Sequence, residues 1–183
     1  DKYAEVLKAA GFIPEAILYS TGNMASVVSR TGQLSWEKCN IVVDIEHNTT
    51  NISVFKDKKL ISSRNISLGA KNIIEAITGS FVTAQERIEL KAEDAEEVAF
   101  RENLYPGTGS EFIRGNIPAN QLLAKARSIL EDLAEEISRS LVYFKVNYKE
   151  EIADILYVSG YGLRINGIED FLREFLGLRV ERL

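Results

Sequence analysis

The residues best equipped for chemistry fall in one short run, Asp44-Ile45-Glu46-His47-Asn48-Thr49-Thr50. A loop of Asp, Asn and Thr residues can aim several backbone N–H groups and two hydroxyls at one point, which is how a phosphate is cradled. A carboxylate beside it, here Asp44, can hold Mg²⁺ through water. The same residues also allow a plainer reading, an ordinary hairpin whose Asn and Thr satisfy their own backbone. A second corner, Ser159-Gly160-Tyr161-Gly162, follows another apolar run. Counting excludes other chemistries. His47 is the single histidine, so no multi-histidine metal site can form. Cys39 is the single cysteine, which rules out an internal disulfide framework and fits a reducing compartment.

The elements around these residues place them at strand ends. Asn40–Ile45 is an apolar run of the kind that makes a buried strand. Asn51–Lys56 alternates, with Ile52 and Val54 on one face and Asn51, Ser53 and Phe55 on the other. Asp57-Lys58 makes a tight turn without the Gly that two-residue hairpins favour, and a third strand runs from Lys59 to Ser67. Gly69 opens a helix with Ile73, Ile74 and Ile77 inside, and Gly79 ends it. Thr83, with Glu86 three residues on, reads as a capping box for an acidic helix reaching Ala99. Leu104–Asn116 is turn-rich and reads as a surface excursion. Pro118 opens the longest helix, whose apolar residues keep the 3.6 period from Leu122 to Phe144 and which extends to Tyr148. Ile152–Val158 is a buried strand, Ile168–Phe175 a helix closed by Gly177, and Leu178–Arg182 a last strand. Ahead of the first strand, Tyr3, Val6, Leu7 and Ala10 recur at helical spacing before Gly11. Phe12–Tyr19 reads as an edge strand, Met24–Arg30 as a short helix, and Thr31–Lys38 as a loop holding Trp36.

Three meandering strands followed by crossover-linked strands give an α/β fold, a mixed sheet covered by helices. Such sheets bind ligands at the carboxyl ends of strands where connections diverge, so the two corners are expected to face one another across a crevice. With 183 residues, 45% of them apolar, the chain suits one domain or two small lobes. Its net charge of −5 is spread without a long run, which makes nucleic acid an unfavoured partner. No stretch approaches the roughly 18 apolar residues needed to cross a bilayer, and no signal segment opens the chain. The expectation is a cytoplasmic protein without direct membrane insertion.

The order of elements with these two corners resembles the second half of the actin-like ATPase superfamily, shared by actin, FtsA, Hsp70 chaperones and sugar kinases. D-I-E-H-N-T-T-N-I-S-V-F at Asp44–Phe55 is similar to its second phosphate motif, and V-S-G-Y-G-L-R-I-N-G-I-E-D-F-L-R-E-F-L-G-L-R-V at Val158–Val180 to its adenosine motif with the trailing helix and strand. S-R-N-I-S-L-G-A-K-N-I at Ser63–Ile73, I-S-R-S-L-V-Y-F at Ile137–Phe144 and Y-A-E-V-L-K-A-A-G-F at Tyr3–Phe12 resemble the type IV pilus assembly family PilM more than FtsA. The resemblance implies a ribonuclease H-like mixed sheet. It divides the chain into a remnant of a first lobe (1–30) and a second lobe (31–183), with 69–117 as a smaller subdomain. It also implies that a D-I-G strand pair carrying the first phosphate motif is missing ahead of Asp1.

By the same resemblance the chain is a scaffold of a type IV pilus or type II secretion-like machine. It would sit on the cytoplasmic side of the inner membrane, holding the cytoplasmic tail of a PilN-like protein. ATP with Mg²⁺ is implied for the intact protein and none for this chain alone. The site implied is Asp44, Glu46, His47, Asn48, Thr49, Thr50, Ser159, Gly160, Tyr161 and Gly162, with Glu86, Glu89 and Lys91 as ribose candidates and Asp44 for Mg²⁺. The alternatives are a kinase or ATPase of the same superfold and an FtsA-like self-associating filament. Two departures weaken nucleotide binding. Glu46 stands where the family has Gly, and a carboxylate about 4 Å from a phosphate charge costs roughly 4 kcal/mol at an effective dielectric near 20, about a thousandfold in affinity. Tyr161 stands where the family has the second glycine of a pair.

Overall fold

The structure is a computed structural model that describes residues 2–13, 30, 38–105, 109–114, 116–148 and 152–183. β1 (Cys39–Ile45), β2 (Thr50–Lys56) and β3 (Lys59–Ile66) form the antiparallel meander. β8 (Ile152–Ser159) and β9 (Arg179–Arg182) join it in parallel, giving a five-stranded sheet in the order β3-β2-β1-β8-β9. β1 lies at the centre, and all seven of its residues are buried, the apolar Ile41–Val43 together with the polar Asn40 and Asp44.

The two faces of the sheet are packed separately. Ile41, Val43, Ile45, Ile52, Val54, Leu156 and Val158 face the main core, to which α2 (Ala70–Ala76), α3 (Ala92–Arg101), α4 (Ala119–Tyr148) and α5 (Ile168–Leu176) all contribute. Val42, Phe55 and Tyr157 form a second buried cluster on the opposite face. The alternation expected for β2, Ile52 and Val54 against Phe55, is therefore the alternation observed. α4 has 30 residues and spans about 45 Å at 1.5 Å per residue. It buries Leu122, Ala126, Leu130, Leu133, Ala134, Ile137 and Phe144 along one stripe. Each fully buried Leu or Ile there contributes about 1.5–3 kcal/mol. Arg64 ties the edge strand β3 to this helix, donating to Ser140 Oγ at 3.0 Å and to Glu136 Oε2 at 2.6 Å. No helix among the described residues is long and apolar enough to cross a membrane.

The Asp57-Lys58 turn is a two-residue hairpin with both residues at positive φ, 49° and 63°. That is the type I′ geometry, adopted here without the glycine that usually relieves it.

Several expected elements differ. The acidic helix does not begin at Thr83. Residues Gly79–Val82 (β4) and Arg87–Leu90 (β5) form a hairpin, and α3 starts only at Ala92. Thr83 Oγ1 does accept from the Gln85 and Glu86 N–H groups, at 3.3 and 3.0 Å, as a capping threonine would. Its own N–H donates to the Glu86 carbonyl, however, which closes a hairpin turn rather than a helix. Gly79 begins β4 instead of ending α2, which stops at Ala76. Within the expected surface excursion, Phe112–Ile113 (β6) pairs with Ile117–Pro118 (β7) just beyond it, and Leu104 and Ile113 are buried. α1 (Lys2–Ala9) forms, but Tyr3, Val6 and Leu7 are exposed. The edge strand after Ile13, the short helix ahead of Arg30 and the Trp36 loop lie outside the described residues.

Candidate functional site

The two corners adjoin because β1 and β8 are neighbouring parallel strands ending at the same level, with Asp44 opposite Ser159. Ser159 Oγ donates to Asp44 Oδ1 at 2.7 Å across a sequence separation of 115 residues. Asp44 is 7% exposed, so this hydroxyl satisfies one oxygen of a nearly buried carboxylate. Gly160 makes the fit possible. Its φ is 95°, and a Cβ there would stand 2.4 Å from the Ile45 carbonyl oxygen and 2.8 Å from Asp44 Oδ1.

The first corner is braced from the other side by the start of α2. Ala70 N–H donates to Glu46 O at 3.0 Å and Lys71 N–H to His47 O at 2.8 Å. Two of the helix's orphan donors, which could have faced an anion, are thereby engaged by the loop. Gly69 permits this approach, since a Cβ there would lie 2.6 Å from His47 O. Thr50 Oγ1 is likewise engaged, donating to Leu68 O at 2.8 Å. His47 and Asn48 are exposed and Thr49 is half-buried, so the loop tip is the part that faces outward.

Glu46 reaches solvent, yet its carboxyl is held above the ordinary range, first by partial burial and then by the charge of Asp44 and a hydrogen bond with it. Two carboxylates on one corner repel one another, which favours a cation between them. As a test of fit to Mg²⁺, the donor chemistry is suitable but sparse: among the described residues no group of three or more His, Cys, Asp or Glu side chains could hold a metal ion. Asp44 and Glu46 would have to be completed by water and phosphate oxygens, as is usual for Mg²⁺.

At the second corner a 3₁₀ turn, Tyr161–Arg164, points Tyr161 across the crevice. Its ring lies edge-on to His47 (centroids 5.4 Å, interplanar 76°) and to Phe100 of α3 (5.7 Å, 74°). Its hydroxyl donates to Glu96, and that bond, with burial second, lifts the phenol above its usual range. Arg164 places its guanidinium 4.2 Å from the Phe100 ring centroid and 5.3 Å from that of Tyr161.

The structure thus gathers Asp44, Glu46, His47, Ser159, Gly160, Tyr161 and, behind them, Gly162 and Thr50. Glu86 does not arrive with the acidic helix, because it sits in the exposed β4–β5 turn, and Glu89 is in β5 and Lys91 just before α3. The residues that α3 does bring are Glu96 and Phe100, one helical turn apart. Their i, i+4 spacing on one face was the available signal.

No family model and no curated protein matches the chain. Solved structures do. The PilM–PilN type IV pilus biogenesis complex superposes with a TM-score of 0.72 at 21% identity over 99% of this chain and 46% of the other. The ethanolamine utilization protein EutJ of Carboxydothermus hydrogenoformans gives 0.64 at 18% over 98% and 54%. An MreB of Spiroplasma citri bound to AMPPNP gives 0.63 at 15% over 99% and 58%. The chain spans about half the length of these relatives.

Proposed function

We propose, from the premise that this chain has the actin-like ATPase fold, that it is the second lobe of a scaffold in a type IV pilus or type II secretion-like machine. In this reading the protein works at the cytoplasmic side of the inner membrane. It holds the cytoplasmic tail of a PilN-like membrane protein, with residues 1–30 belonging to a first lobe and 69–117 to a smaller subdomain. The observation that carries it is the TM-score of 0.72 with the pilus complex over 99% of the chain, against 0.64 and 0.63 for EutJ and MreB.

The nucleotide site belongs to the same reading in weakened form. Asp44, Glu46 and the His47–Thr49 tip would face Mg²⁺ and phosphates, and Ser159–Gly162 the rest of the ligand. Mg²⁺ would supply charge neutralisation on the phosphates. Two corner carboxylates and α2 donors already engaged by the loop both lower affinity for an anion. A bound nucleotide therefore sets lobe arrangement rather than driving turnover.

The test is calorimetric titration of the full-length protein with a synthetic PilN-like tail peptide. A micromolar complex supports the scaffold. A folded protein that ignores the peptide, and recovers no inner-membrane pilus component on pull-down, removes it. The second reading, an ATPase or kinase, draws on the buried Asp44 held by Ser159. It requires ATP turnover by the full-length protein that Asp44→Ala abolishes.

A further inference from the structure

The crevice between the two corners is closed by the chain's own side chains. β1 and β8 are the parallel pair at the middle of the sheet, and ligands of open α/β sheets sit beyond the carboxyl ends of such strands. Tyr161 stands in that position. Residues from three other places meet it there: His47 from the loop after β1, Glu96 and Phe100 from α3, and Arg164 from the end of the 3₁₀ turn.

A tyrosine at a ligand position can serve in two opposite ways. As a platform it offers an open face on which a planar group stacks. As a plug it is held by its own neighbours and has to leave before a ligand enters. The contacts here are those of a plug. The ring meets two aromatic neighbours edge-to-face, a guanidinium lies over it, and its hydroxyl is anchored on a carboxylate. Hydrogen bonds to charged acceptors are among the stronger ones in proteins.

We propose that Tyr161 is a self-occupying gate of the crevice, latched to α3 through Glu96, and that a nucleotide binds only when the latch opens. This rests on the nucleotide site in the proposed function. Opening moves the ring off His47 and Phe100 and releases α3 from the corner, so occupancy of the crevice and the position of α3 are coupled.

The experiment is isothermal titration of Mg-ADP into the full-length protein and its Tyr161→Gly, Glu96→Ala and Tyr161→Gly/Glu96→Ala variants, with Asp44→Asn as the site control. The gate predicts tighter binding in Tyr161→Gly, about tenfold or more from loss of one charge-assisted hydrogen bond and the ring contacts. It predicts a smaller gain in Glu96→Ala, and no further gain when the two are combined. Glu96 is a half-buried helix residue, so its variant keeps the test alive if Tyr161→Gly misfolds. Weaker binding in Tyr161→Gly would mean a platform and overturns the gate. Equal binding in wild type and both single variants, lost in Asp44→Asn, also overturns the gate while leaving the nucleotide site standing. No binding by any protein overturns the gate and the nucleotide site together.

Discussion

Gly160→Ala probes the contact on which the crevice depends. Two costs combine at this position. Gly160 sits at φ 95° and ψ 180°, an extended positive-φ conformation that essentially only glycine adopts and that costs another residue about 1–3 kcal/mol. The added methyl would also meet the Ile45 carbonyl at 2.4 Å and Asp44 Oδ1 at 2.8 Å, against backbone that cannot step aside cheaply. Overpacking of this kind costs about 1–3 kcal/mol. The expected loss is therefore roughly 2–6 kcal/mol, read as a drop in unfolding free energy by urea titration followed by circular dichroism. Gly177→Ala gives a positive-φ reference without the clash: Gly177 is left-handed at φ 65° and ψ 25°, the milder conformation at about 1–2 kcal/mol, with nothing within 4 Å of the added carbon. If Gly160→Ala costs no more than Gly177→Ala, the β8 corner does not press on the end of β1, and the crevice as described is wrong.

Glu46→Gln should raise Tm at pH 7 by about 1–2 °C, on the order of half a kcal/mol once solvent screening of this exposed side chain is allowed for. The carboxyl is raised by desolvation and by Asp44 from an ordinary 4.5. The folded protein therefore takes up its proton at a higher pH than the unfolded chain does. The penalty of the ionised group is present above the folded-state value and relieved as pH falls toward 4.5, so the advantage of Gln should fade over that window in a pH series of melts. Lys58→Gly should stabilise the protein by about 1 kcal/mol, or about 2–4 °C in Tm, because it turns Asp57-Lys58 into the Asp-Gly pair that type I′ hairpins prefer. Unchanged or lowered Tm would mean that this turn is not held at positive φ.

The meander, the long helix and the two corners were legible because each rests on a pattern that tertiary context does not rewrite. β1 carries the consecutive apolar residues Ile41, Val42 and Val43, β2 alternates, and α4 keeps one period from Leu122 to Phe144, about six turns. The β4–β5 hairpin was not, because a capping threonine and a hairpin threonine make the same hydrogen bonds to the N–H groups two and three residues on. What separates them is Phe81, Ile88 and Leu90, whose alternation selects strands only once a core exists to bury Phe81 and Leu90. The corner chemistry was half legible. Asp44 and Gly160 could be paired by strand order. The engagement of α2 by the loop, and of Tyr161 by Glu96, depends on distances between segments tens of residues apart, which no local pattern records.

The pairing of Asp44 with Ser159 also bears on how this chain is made. The meander can assemble as soon as it leaves the ribosome, for its contacts are local. The free flank of β1, a seven-residue strand in which only Asn40 and Asp44 are polar, with unpaired peptide groups, has to wait for a strand encoded 115 positions later. At about 5–20 residues per second the wait is about 6–23 s. Throughout it the nascent chain presents an open sheet edge of the kind that seeds aggregation. Yield in the cell should then depend on a holding chaperone, or on slow translation between the meander and β8, more than on the stability of the finished sheet.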